Sequence, residues 1–92
     1  VVVVVKRFSE EALSVLSDKE LKAEQSLVSM MYSIYQYECR NYVVTLSGYT
    51  EIGDERLVSI FTKRAKFAQM VLIGAERALE RIDAELQRRG LE

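Results

Sequence analysis

VSIFTKRAKFAQMVLIGAERALERIDAEL, residues 58–86, repeats small or apolar side chains every three or four positions: Val58, Phe61, Ala65, Ala68, Leu72, Ala75, Leu79, Ile82 and Leu86. That rhythm keeps one seam of an α-helix turned toward a partner helix for about four heptads. Beside it runs a second stripe of Ile60, Phe67, Val71, Gly74 and Ala78, and from Phe67 to Ala75 the segment is nearly apolar all round. A helix that is apolar on several sides needs cover on several sides. Gly74, Ala75 and Ala78 are small enough to let another backbone approach closely.

Working outward, Asp54 is placed to cap this helix, with Glu55 in its first turn where the helix dipole favours an acid. Arg88 and Arg89 suit its carboxyl end, and Gly90 stands beyond it. Upstream, Ser17-Asp18-Lys19-Glu20 is a capping box, with Leu16 and Leu21 spaced as a hydrophobic staple. A long helix should therefore start at Asp18 and run to Ser47, where Gly48 is a natural terminator. Gly48 to Gly53 would be the turn. Before the capping box, Ser9 caps a short helix from Glu10 to about Leu16, with Phe8 and Leu13 as its staple. Two long helices joined by a short turn lie antiparallel.

The expected fold is all-α, a long antiparallel hairpin with a short N-terminal helix. A hairpin alone cannot cover both stripes of the third helix, so the economical assembly is a homodimeric four-helix bundle. The alternative is a monomer in which the short helix covers the second stripe. Residues 1–8 read as an N-terminal tail, 9–90 as one domain, and Leu91-Glu92 as a cloning scar. Val1 to Val5 are strong strand formers, read either as an edge strand or as a tail. They do not match a signal peptide, because Lys6 and Arg7 follow them.

Composition narrows the function classes. The chain has 92 residues, of which 49% are apolar and 29% charged, a balance unlike that of disordered or membrane-spanning chains. A net charge of −1 gives no general attraction to nucleic acid or anionic lipid. Histidine is absent, which removes the commonest general base and transition-metal ligand. Proline is absent too, so nothing breaks a long helix. Cys39 is the lone cysteine, which fits a reducing, cytoplasmic setting.

Few residues carry chemistry. Glu24 and Glu38 fall within the apolar arc of the second helix, where a carboxylate needs a partner. With a turn centred between Gly48 and Gly53, Glu38 faces Arg64, the one charge in the apolar arc of the third helix. Glu24 lies level with Arg77 or Ala78. A buried Glu38–Arg64 ion pair fixing the hairpin register is one reading. A polar site for a small ligand is the other. Di-iron bundles use Glu-x-x-His motifs, which this sequence lacks, so no metal or other cofactor is expected. Tyr32 and Tyr37 lie at opposite borders of the apolar arc and, with Met30, suit an interface.

Arg81–Glu85 and Glu85–Arg89 are spaced as surface ion pairs. Lys63, Arg64, Lys66, Arg77, Arg81, Arg88 and Arg89 are interleaved with acids rather than gathered in a patch, which weakens a nucleic-acid reading. No catalytic triad, P-loop or dinucleotide fingerprint is present. The sequence is thus expected to encode a non-enzymatic protein-interaction module, adaptor-, chaperone- or inhibitor-like, acting as a homodimer. A nucleic-acid-associated dimer and a ligand-binding bundle are the alternatives. The expected interface comprises Ile60, Phe67, Met70, Val71, Gly74, Ala78, Tyr32 and Tyr37.

Overall fold

A computed structural model describes residues 8–91. These residues form a short helix, α1 (Glu10–Ser14), and two helices of 34 residues each, α2 (Asp18–Glu51) and α3 (Glu55–Arg88). The two long helices pack as a hairpin, and α1 docks on the C-terminal part of α3. The expectations for Val1 to Val5 and for Glu92 lie outside the described residues.

Local chemistry accounts for each boundary. The Ser9 hydroxyl accepts from the Ala12 amide at 3.2 Å to start α1. The capping box forms as the sequence predicts, with the Glu20 amide donating to the Ser17 hydroxyl and the Ser17 amide donating to the Glu20 carboxylate. These bonds hold the Glu20 carboxyl below its usual range, the Ser17 amide being the main cause. Ser17→Ala is expected to cost about 1 kcal/mol, read from urea unfolding, and a change under a few tenths would show that the box contributes nothing.

The end of α2 corrects the expected boundary. The helix passes through Gly48 and continues to Glu51, and the chain turns at Ile52–Asp54 instead. Gly53 takes φ +75°, and its amide donates to the Thr50 carbonyl while that of Asp54 donates to the Tyr49 carbonyl. This is a full Schellman ending, which needs its glycine one position past the cap. Only Gly53 has Asp54 beside it to cap the next helix, through the Leu57 amide at 3.1 Å. A glycine inside a helix costs only about 1 kcal/mol, so Gly48 is carried through.

Gly90 repeats the device at the end of α3, with φ +74°. Its amide donates to the Gln87 carbonyl, and that of Leu91 to the Leu86 carbonyl at 2.9 Å. Leu91 also packs against the core, in contrast to the expectation that it stands outside the fold. Phe8, expected in the tail, is likewise a core residue.

Moving the turn moves the register. Gln25 donates to Asp83 at 2.8 Å, and Arg89 reaches Asp18 at 3.0 Å. Partners on α3 therefore lie more than one helical turn beyond those expected from a turn centred on Gly48 to Gly53.

The core is lopsided. Its buried apolar members are Phe8, Leu13, Leu21, Val28, Ala68, Ala75, Ala78, Ile82 and Leu86. All but Ala68 cluster at the end where α1 docks. In the half of the hairpin that carries the turn, residues 35–73, Ala68 alone is fully buried. Along α3 the small residues Ala65, Ala68 and Ala75 let α2 approach, but only near α1 is a third element present to close the interior.

Candidate functional site

Two features stand out: a polar clasp at the α1 end and an uncovered apolar surface at the turn end. The clasp is built on Arg89, whose side chain is 14% exposed. Its guanidinium donates to the Glu85 carboxylate at 2.9 Å, to Asp18 at 3.0 Å, and to the Leu13 and Ser14 carbonyls at 3.0 and 3.2 Å. Those carbonyls stand at the C-terminal end of α1, where that of Leu13 also accepts from the Leu16 amide at 3.2 Å. Arg88 also binds the Glu85 carboxylate, donating through Nε at 2.9 Å and through Nη2.

The Arg88 and Arg89 hydrogen bonds lower the Glu85 carboxyl to about 2, against the opposing effect of burial. Both guanidinium groups are held above their usual range by the same carboxylate. Arg81 reaches the Phe8 carbonyl at 3.5 Å. Three of the basic residues that could face nucleic acid are thereby engaged within the fold.

Spacing alone assigns Glu85–Arg89 to the surface and does not reveal this clasp. A signal is nevertheless present, since Glu85 is one heptad beyond Ala78 on the second stripe. A carboxylate there must be buried with its counter-ion once α1 covers the stripe.

The opposite half is open. A groove of about 440 Å³ between α2 and α3 is lined by Tyr35, Glu38, Tyr42, Lys63, Arg64 and Phe67. Glu38 and Arg64 share this groove, but no ion pair joins them and Arg64 is exposed. Its guanidinium lies over the Phe61 ring, 5.1 Å from the centroid. The Phe61 ring in turn meets Tyr42 and Tyr49 at centroid distances of 6.1 and 5.3 Å. The expected buried pair is corrected for the reason that moved the turn: the register places the two heads out of range. Glu24 is half-buried and takes part in an interaction.

The expected interface residues divide into three groups. Ile60, Phe67, Met70 and Tyr37 are exposed, with Phe67 at 63% and Tyr37 at 67%. Val71 and Tyr32 are half-buried, Tyr32 against the core. Gly74 and Ala78 are buried within the chain, so they do not belong to a free surface. The alternative in which α1 covers the second stripe thus holds for its C-terminal part, while Phe67 and Ile60 stay uncovered.

No family model matches the chain, and no curated protein or solved structure shows detectable similarity to it. Among the described residues, no helix is long and apolar enough to cross a membrane.

Proposed function

We propose that this chain is a non-enzymatic protein-interaction module that acts as a helical homodimer, two hairpins forming a four-helix assembly. One observation carries the reading: the turn half of the hairpin buries Ala68 alone yet exposes Tyr37, Val43, Val44, Ile52, Ile60, Phe67 and Met70. Monomers rarely expose contiguous apolar patches beyond a few hundred Å². Tyrosine and phenylalanine are residues that interfaces favour, and Tyr35, Tyr42 and Phe67 line the open groove beside Glu38, Lys63 and Arg64. The lone Cys39 suits a reducing, cytoplasmic setting.

Phe67→Asp tests the reading at the groove. The residue is exposed, so folding stability should stay within about 0.5 kcal/mol. Binding to a protein captured from the source cell should weaken about 30-fold, as expected for loss of an aromatic anchor worth about 2 kcal/mol. Sedimentation equilibrium should show a dimer. A chain that stays monomeric at about 100 μM, a weak concentration on the scale of interface affinities, and captures no protein would sink the proposal.

A further inference from the structure

We infer that α2 carries a second heptad seam, on the side away from α3, through which two copies of the chain pair in parallel, with Asn41 against Asn41. This rests on the homodimer reading above and specifies which surface makes the dimer. The inward side of α2 is one seam, Leu21, Gln25, Val28, Tyr32, Tyr35, Cys39, Tyr42, Leu46 and Tyr49, and every member is buried or half-buried against α3 and the turn. Leu27, Met30, Ile34, Tyr37, Asn41 and Val44 form another series with the same three-four spacing, and every member is exposed. At 100° per residue the two seams fall on nearly opposite sides of the helix. Two opposed apolar seams also explain why α2 is less amphipathic than α3.

The spacing selects the occupant as a helix, because a three-four series fits knobs into the holes of a facing helix. Leu27, Ile34 and Asn41 take the a positions, and Met30, Tyr37 and Val44 the d positions. The seam spans about 2.5 heptads, short for an isolated coiled coil. Here α2 is already held helical by α3, so the nucleation cost is met before the partner arrives.

Area and polarity select a second copy. A compact monomer of this mass exposes roughly 5,500 Å², whereas this chain exposes 6631 Å². The excess, which an elongated shape exposes along its whole length, leaves room for the roughly 800 Å² each partner loses in a standard interface. The chain is also extended, with a radius of gyration of 16.9 Å against roughly 12 Å for a compact domain of this length.

Asn41 fixes the orientation. A buried amide needs a hydrogen-bonding partner, and in a parallel pair the equivalent amide supplies it, a known device for setting register and oligomeric state. In an antiparallel pair Asn41 would face Met30, whose thioether is a weak acceptor. The flanking positions bring no like charges together, since Arg40 would lie near Thr45 of the second copy and Glu38 near Ser33. The resulting assembly has the α2 pair at its centre and α3 outside, leaving the Phe67 groove open to a partner.

The test uses the full chain. Sedimentation should give a dimer whose Kd rises at least 100-fold in Ile34→Asp/Tyr37→Asp, with the helical circular dichroism unchanged because both residues are exposed. Phe67→Asp should leave the dimer intact. In a Cys39→Ser background, Asn41→Cys should form a covalent dimer under mild oxidation. Crosslinking only when Met30→Cys and Asn41→Cys are combined would show an antiparallel pair and overturn the inference. A dimer lost in Phe67→Asp and kept in the Ile34/Tyr37 variant would overturn the seam but leave the interaction module standing. A monomeric wild-type chain, or a seam that recruits only a foreign helix, would overturn the seam and the homodimer, and a monomer that also captures no protein would overturn the interaction module with them.

Discussion

Ile82→Ala is expected to lower stability by about 3 kcal/mol, within the range for emptying a fully buried aliphatic site. Ile82 is 0% exposed, and it shares one cluster with Phe8, Leu13, Leu21 and Leu86. Among the described residues that cluster is where α1, α2 and α3 meet, so the vacated space borders all three helices and cannot close by moving one. For a domain with roughly 5–15 kcal/mol in total, this is a large fraction. It corresponds to a fall of about 12–24 °C in Tm. Val44→Ala, on the exposed side of α2, is the control and should change the monomer's stability by less than about 0.5 kcal/mol. Equal effects at the two positions, measured by urea unfolding of dissociated chain, would refute the lopsided core.

Breaking the clasp should have the next largest effect, and its pH dependence has a definite sign. Arg89→Ala removes the donors to Glu85, Asp18 and the two last carbonyls of α1. The Glu85 side chain, itself only 10% exposed, keeps Arg88 alone. Arg89→Lys should not restore stability, because one ammonium cannot replace a planar fork that serves four acceptors. Arg88→Ala should be milder, since that side chain is 65% exposed.

The folded-state Glu85 carboxyl lies near 2, below its ordinary value of 4.5, so its stabilising contribution is complete above about pH 4.5. It is lost as pH falls from there toward 2, because the unfolded chain takes up the proton first. The difference in Tm between wild type and Glu85→Gln should therefore be constant from pH 7 to about 5 and shrink toward pH 2. Faster hydrogen exchange at the Leu13 amide in Arg89→Ala would show α1 undocking. A pH-independent difference, or unchanged exchange, would contradict the role given to the clasp.

Much of the architecture is legible because it rests on local signals. The capping box at Ser17, the cap at Asp54, the seam from Val58 to Leu86 and the ending at Gly90 depend on neighbours in sequence, and the structure shows all of them. Gly48 misleads because two glycines five residues apart can each end a helix. The choice between them rests on the adjoining residue, and only Gly53 is succeeded by a capping aspartate, Asp54. That displacement also separates Glu38 from Arg64, since register error is inherited by every pair inferred across a hairpin.

The clasp is harder to see. Glu85 and Arg89 satisfy the spacing of an ordinary surface pair, and only docking of α1 over them makes their charges interior. On α2, the inward and outward seams fall on nearly opposite sides of the helix, and the sequence alone does not say which of them meets α3. Only the contrast in exposure separates them.

The uneven core gives the hairpin a gradient of local stability. Few buried contacts hold the backbone hydrogen bonds around the Ile52–Asp54 bend, while those near Leu21 and Ile82 open only with the whole fold. Chain opening in an isolated copy should begin at the bend and stop near Val28 and Ala78. Any helix that covers the far half would then do more than adhere to it. It would suppress the fluctuations of a segment that the molecule does not stabilise by itself, so occupancy at one end of the rod would be felt as stiffness along it.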